Sequence, residues 1–310
     1  MIKIDLITGF LGSGKTTFIK KYAKYLIDSG KRIGILENDY GAVNVDMMLL
    51  QELMGDNCHM EMVAGGCDAD CHRRRFKTKL IAMGMEGYDR VIVEPSGIFD
   101  VDEFFDALYE EPLCRWYEIG NVIAIVDAKL ENNLSARSEF ILASQIADAG
   151  KIILSKYKNA SKKEINDTIA HLNKAMEGVK CTRKFEKEIV CRDWDTFTCE
   201  DFESFLNCGY VAEDYVKAFG EYGDYQTLYF MNLKMNEEEL RSKVSRLIED
   251  SSCGNIFRIK GFVSIGHDEW LEVNATRNNI MVKPIAKGQE ILIVIGENLE
   301  EDKISEHWRK

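Results

Sequence analysis

Proline is scarce in this chain, with three in 310 residues, and there is no low-complexity stretch and no internal repeat. Those lacks exclude a proline-rich spacer and a solenoid, and leave an ordinary globular protein. Positive charge is also short: 40 Lys and Arg stand against 52 Asp and Glu, a formal net charge of -12. A sequence-independent grip on nucleic acid needs surplus basic groups on one face, so nucleic acid is not an expected partner. Apolar runs such as IAIVD and ILIVIG are far shorter than the roughly 18 consecutive residues of a membrane-spanning helix. The opening MIKIDLITGF has no basic leader and no small-residue cleavage site. The expectation is therefore a soluble, cytoplasmic protein with no membrane partner.

With 45% hydrophobic residues, the chain is about two domains long, and each half can bury its own core. A chain that builds cores needs no covalent staples, so its nine cysteines read as reduced thiols. Cys58, Cys114, Cys181, Cys191, Cys199, Cys208 and Cys253 are scattered and need no special role. Cys67 and Cys71 stand apart, because they bracket two aspartates and are followed by His72.

From residue 1 to about 155, short β-rich runs alternate with helix-length segments, the pattern of a parallel sheet covered by helices. Strands are expected at IKIDLIT, RIGILEN, RVIVEP, VIAIVD and KIILS. Helices are expected after Lys15, near Asp46 to Met54, and over His72 to Met83, Val101 to Tyr109 and Ser135 to Ala149. The fold class is α/β, a P-loop NTPase parallel sheet covered by helices, followed by a smaller α+β C-terminal domain. Residues 1–180 read as the nucleotide-binding domain, 181–224 as a connector and 225–310 as the α+β domain.

The chemistry begins at GFLGSGKTT, residues 9 to 17, a glycine, four residues, then Gly-Lys-Thr between a strand and a helix. Gly9, Gly12 and Gly14 let the backbone wrap so that its N–H groups, Ser13 included, converge on phosphate oxygens at a helix N-terminus. Lys15 adds a full charge, Thr16 offers its hydroxyl oxygen to Mg²⁺, and Thr17 should lie near the α-phosphate. A second phosphate-side element is RVIVEPSG. There Glu94 can reach the Mg²⁺ shell or the attacking water, and Gly97 can turn its N–H to the γ-phosphate.

GFLGSGKTT, ENDYGAVNVD, GGCDADC, RVIVEPSG and the later FRIKGFV, EWLEVNAT and VIGENL together resemble the CobW family of P-loop GTPases, in order and across both domains. The resemblance implies GTP hydrolysis coupled to metal handling, or to maturation of a client metalloenzyme or corrinoid protein. It implies a switch over Glu37, Asn38, Asp39, Tyr40, Gly41 and Asp46, with Asp39 as a further magnesium ligand. Two departures stand out. The family's Cys-x-Cys-Cys reads Cys67-Asp68-Ala69-Asp70-Cys71 here, which leaves the metal open. Its guanine-reading loop reads Ser155-Lys156-Tyr157-Lys158, with Lys158 in the place of the base-reading aspartate, so ATP stays open beside GTP with an expected preference below about tenfold. Lys156 keeps an aliphatic stem able to lie along a purine.

Cys67, Cys71, His72 and Glu37 form the candidate transition-metal set, suited to Zn²⁺ or another late first-row ion. A tight buried turn with no ion is the plain reading of the same residues. A third reading pools the thiols of a homodimer around an iron–sulfur cluster. The basic run from His72 to Lys79 is a solvated helix face or a source of an arginine that contacts the triphosphate. Three functions are compatible with the pattern: a nucleotide-gated metallochaperone or maturation factor, a small-molecule kinase or ligase, and a nucleotide-gated module that docks on a partner.

Overall fold

The computed structural model of the chain describes residues 1–39, 45–64, 69–99, 101–213, 215–216, 225–266, 269–286 and 288–309, without the side chains of 39, 45–47, 64, 69 and 70. The chain divides into two compact units, Met1–Gly220 and Glu221–Lys310.

In the first unit, β1 (Ile2–Thr8), β2 (Ile33–Asp39), β3 (Cys58–Ala64), β4 (Arg90–Pro95), β5 (Tyr117–Asp127), β6 (Lys151–Ser155) and β7 (Ile189–Val190) form one sheet in the order β3-β2-β4-β1-β5-β6-β7. Every pairing is parallel. Such strands need helical crossovers, which cover both faces and make the strands apolar on both sides. On one face Ile4, Leu6, Val91, Val93 and Val122 pack with the helices Ala69–Gly84, Asp102–Tyr109 and Ala136–Ala147. On the other, Ile7, Ile35, Ile92 and Ile125 pack with Phe18, Ile19 and Tyr22 of the helix Lys15–Asp28. The chain lays β2, β3 and β4 on one side of β1 and then crosses to β5. This change of direction is where α/β sheets open a crevice beyond the strand C-termini.

Expected strands and helices recur within a few residues, with two differences. The strand β3 was not anticipated, because HMEMV alternates polar and apolar groups, as suits a strand at the sheet edge rather than its middle. The segment read as a connector contributes β7, the helix Cys199–Leu206 and the buried rings of Phe185 and Phe205 to the first unit. Its sparse apolar residues hid this, since one aromatic ring anchors as much area as several aliphatic side chains.

The second unit has β8 (Tyr225–Met231), β9 (Asn255–Gly266), β10 (Glu269–Thr276), β11 (Asn279–Ile285) and β12 (Ile291–Glu297) in an antiparallel sheet ordered β11-β10-β9-β12-β8. Leu240, Val244 and Leu247 of the helix Glu237–Glu249, with Ile304 and Trp308 of the helix Glu301–Arg309, cover one face over Ile259, Val263, Val273 and Val294. This is the expected α+β arrangement.

The central strand is tied down by one buried ion pair. Asp5 is wholly buried and accepts from Arg90 Nη1 of β4 at 2.5 and 2.6 Å, from the Tyr22 hydroxyl at 2.8 Å, and from Asn121 N and Nδ2 at 2.9 and 3.0 Å. Burial pushes the Asp5 carboxyl pKa up, and the Arg90 guanidinium pulls against that shift. Asp5→Ala would leave Arg90 without its counter-ion inside the fold, so chemical denaturation should show a loss of about 3 to 5 kcal/mol. A loss below about 1 kcal/mol would mean that solvent reaches Arg90 and the pair is not an anchor.

Candidate functional site

β1 ends at Thr8, and the chain winds through the glycines before the helix Lys15–Asp28 begins. Gly9, Gly12 and Gly14 have φ of +142°, +74° and +99°. At Gly9 the requirement is also steric, because a Cβ would sit 2.2 Å from the Ile125 carbonyl oxygen. The loop therefore lies pressed against β5.

The helix it feeds has no capping side chain and no acidic residue in its first turn. By contrast Ser135, Ser161, Thr198 and Asn236 each cap their own helix by accepting from a backbone N–H. The first-turn N–H groups of Lys15–Asp28 and the positive end of its dipole are thus kept for an anion. Lys15 is only 6% exposed, and its Nζ donates to the Gly9 carbonyl at 2.9 Å, which holds the ammonium over the loop. Ser13 is buried, and Thr17 is exposed on the helix.

Thr16 Oγ1 donates to Glu94 Oε1 at 2.8 Å, which brings the two expected magnesium residues together. Glu94 and Glu37 stand opposite each other in the β2–β4 register, both almost wholly buried. Neighbouring in-register side chains of a parallel pair point to the same face, with strands about 4.8 Å apart. Two buried carboxylates thus flank each other at the same edge of the sheet. Gly97 follows β4 and faces the loop, since a Cβ there would lie 2.7 Å from Leu11 N; its own carbonyl accepts from Gln145 Nε2 at 3.0 Å.

Among the described residues, the hydroxyls of Thr8, Ser13 and Ser155 and the side-chain amide of Asn38 are buried with no hydrogen-bond partner. These atoms stand in the loop or at the C-terminal ends of β1, β2 and β6. A buried polar group left unsatisfied costs about 1 to 3 kcal/mol, so their gathering on one edge marks a place built for a polar ligand.

On the β6 side, Ser155 comes close to Gly14, 3.6 Å from the position a Cβ would take there. Lys156, at φ +53°, donates to Asp127 Oδ2 at 2.5 Å and to the Gly12 carbonyl at 3.1 Å, so its ammonium straps β5 to the loop. Lys158 reaches Asp193 Oδ2 and Asp195 Oδ2, each at 2.8 Å. The hydrogen bonds that Lys158 donates to these carboxylates raise its pKa, and Lys158 lowers both of theirs. Between them Trp194 donates from Nε1 to the Leu154 carbonyl at 2.8 Å and packs edge-on against Phe18. Sequence reasoning had left this turn unassigned. Its signal was the Asp-Trp-Asp triplet, which places two charges around a large anchor.

The metal candidates are only partly described. Cys71 is half-buried and His72 buried, both in the first turn of the helix Ala69–Gly84, and Glu37 is buried on β2. Cys67, Tyr40 and Gly41 lie outside the described residues, as do the side chains of Asp39 and Asp46.

A parallel sheet whose central strand runs into a glycine-wrapped, uncapped helix N-terminus, with a buried lysine and a Thr–Glu pair beside it, defines a P-loop nucleoside triphosphatase. The family model "CobW/HypB/UreG, nucleotide-binding domain" matches residues 3–185, and the chain belongs to that family. The "Cobalamin synthesis protein cobW C-terminal domain" matches residues 233–310. The chain is 29% identical over 182 residues to zinc chaperone YjiA of Escherichia coli K12, covering 56% of this chain and 55% of that protein. It is 28% identical over 157 residues to zinc chaperone YeiR of the same organism, covering 50% and 47%. Against zinc-regulated GTPase metalloprotein activator 1 of Dictyostelium discoideum it is 25% identical over 308 residues, covering 84% and 62%. The chain thus spans about half the length of the two bacterial relatives.

Because a methyl on residue 97 would push Leu11 and the loop away, Gly97→Ala should weaken binding of a nonhydrolysable triphosphate analogue at least about tenfold, equivalent to 1.4 kcal/mol. Calorimetric titration, with circular dichroism to check the fold, reads this out. Unchanged affinity would show that the loop does not grip phosphate in this shape.

Proposed function

We propose that this chain binds a nucleoside triphosphate, GTP first and ATP as the alternative, hydrolyses it slowly, and uses the nucleotide state to gate a transition-metal site at Cys67, Cys71, Glu37 and His72. It would serve as a metallochaperone or as a maturation factor for a metalloenzyme or corrinoid client. The observation that carries the reading is the register of Glu37 against Glu94. The carboxylate on the nucleotide side and the carboxylate offered to the metal stand side by side on adjacent strands, so a shift of β2 relative to β4 is felt at both. The relatives' names, zinc chaperones and a zinc-regulated GTPase metalloprotein activator, support Zn²⁺ as the cargo.

In this reading the first-turn N–H groups and the Lys15 ammonium, drawn off the Gly9 carbonyl, receive the β- and γ-phosphate oxygens. The hydroxyls of Ser13, Thr8 and Ser155 supply donors to the polar ligand. The Thr16 hydroxyl and the Glu94 carboxylate, with Asp39 as a further candidate, suit Mg²⁺ as hard oxygen donors; bound there, the ion supplies positive charge for the phosphates. Glu94 also orients the attacking water. Lys156 holds the loop to Asp127 while the base is bound. Asp193 and Asp195 are already paired with Lys158, and Asp195 with Lys21 as well, so base discrimination stays modest and GTP keeps its lead through the family membership.

Glu94→Gln keeps the shape and an oxygen for Thr16 but removes the charge. Triphosphate affinity should therefore stay within a few-fold of wild type while single-turnover hydrolysis falls by about 100-fold or more. Equal hydrolysis rates would reassign Glu94 to a structural role.

The gating itself is tested by zinc affinity, measured by competition against a chromogenic chelator with no nucleotide, with the diphosphate and with a nonhydrolysable triphosphate. Zinc affinity should differ at least about fivefold between nucleotide states, a coupling of about 1 kcal/mol, and Cys71→Ser should weaken it in all of them. If zinc binds no tighter than micromolar in any state, the metallochaperone reading fails.

A further inference from the structure

We propose that the second unit carries a metal site of its own, built from the Asp250 carboxylate, the Cys253 thiolate and the His307 imidazole, which takes Zn²⁺ or a similar late first-row dication. One ligand atom from each residue lies within 4.8 Å of the others. The three come from different places in the chain: Asp250 ends the helix Glu237–Glu249, Cys253 closes the 3-10 turn Ser251–Cys253, and His307 lies near the end of the helix Glu301–Arg309.

The backbone holds them in register. Cys253 N donates to the Asp250 carbonyl at 3.0 Å, and Glu300 N donates to the Cys253 carbonyl at 3.1 Å, which ties the turn to the start of the terminal helix. Gly254 allows this close pass, because a Cβ there would meet the Asn298 carbonyl oxygen at 2.3 Å. Asp250 uses Oδ1 to accept from Ser252 N at 2.9 Å, which leaves Oδ2 facing His307 Nε2, also at 2.9 Å. The Ile304 and Trp308 side chains, buried against the sheet, fix the helix that carries His307.

The donor set selects the ion. One sulfur, one imidazole nitrogen and one carboxylate oxygen match the ligands Zn²⁺ takes, at roughly 2.0 to 2.3 Å each. Tetrahedral ligands at those lengths stand roughly 3.3 to 3.7 Å from one another, so the His307–Asp250 hydrogen bond must open by a few tenths of an ångström and the Cys253 sulfur, within 4.8 Å of both, must close by up to about 1 Å. The cation takes the place of the proton between those two atoms, which moves to His307 Nδ1 or leaves to solvent. Binding also displaces the Cys253 S–H proton to solvent. The product, a dication with one thiolate and one carboxylate, carries no net charge, which removes the main penalty for burying it.

Access comes from an open groove lined by Asp250, Ser252, His307, Glu239 and Glu306, which leaves a fourth position for water or a carboxylate. Lys243, Lys303 and Arg246 line the same groove, the two lysines held by the carbonyls of Trp308 and Ser252 at 2.9 and 3.1 Å. Their charge weakens the site without filling it. Without a metal the same residues reduce to an Asp–His hydrogen bond beside a buried thiol, which gives the experiment its contrast.

The test uses the full chain carrying Cys67→Ser and Cys71→Ser, metal-free and without nucleotide, so that its outcome is independent of the nucleotide-gated site. Titrated with Zn²⁺ against a chromogenic chelator, it should retain one equivalent, and Co²⁺ in its place should give a near-ultraviolet thiolate-to-cobalt charge-transfer band. His307→Gln, on a partly exposed helix face, and Cys253→Ala should each abolish the retained equivalent and the band. Because Cys253 is buried and its truncation can harm folding, the His307→Gln result is decisive by itself. No retained zinc in the Cys67→Ser/Cys71→Ser chain, or a retained equivalent that survives His307→Gln, overturns the site.

Discussion

The phosphate-binding edge depends on a charge buried beneath it. Asp5 draws together Arg90 of β4, Asn121 of β5 and Tyr22 of the helix Lys15–Asp28, so the three elements that border the glycine loop share one carboxylate. Even the backbone is shaped around it, since a Cβ at Gly120 would lie 2.4 Å from Asp5 Oδ1. A hydrophobic core alone tolerates sliding of one apolar strand past another. A buried carboxylate with several donors in fixed directions does not, because any slip leaves a buried polar group unsatisfied.

What rises from that anchor is a site held short of satisfaction. Four other helices of the chain receive a Ser, Thr or Asn cap, whereas the helix after the loop has none. Thr8, Ser13, Ser155 and Asn38 bury polar atoms with no partner among the described residues. Each is a small loss of stability concentrated at one edge, and a ligand rich in oxygens recovers it on binding. The tightly packed sheet beneath, with most of its strands apolar on both faces, is what allows the fold to carry that loss.

Around the base-side loop the charges have been exchanged. Lys158 occupies the position of an expected aspartate, yet two aspartates from a turn far along the chain come to meet it. With Lys21 also 3.0 Å from Asp195, two lysines there face two carboxylates. On the other side of β1, Glu37 and Glu94 bring two buried carboxylates to adjacent positions at the same end of the sheet.

Local signals were enough to read much of this protein. The alternation of β-rich and helical runs dictated a parallel sheet, because buried strands need apolar residues on both faces. GFLGSGKTT declared its loop, because glycine takes the positive φ angles needed at Gly9, Gly12 and Gly14 without steric cost, and RVIVEPSG placed Glu94 at a strand end. Those are properties of consecutive residues. The tertiary structure decided what depends on distance through space between residues far apart in sequence. It recruited the turn around Trp194 and the helix Cys199–Leu206 into the first unit, set Glu37 beside Glu94, turned Lys156 back onto Gly12, and brought Cys253 and His307 together across more than fifty residues. Periodicity and spacing report which face a residue occupies within its own element; which faces then meet is settled only when the elements pack.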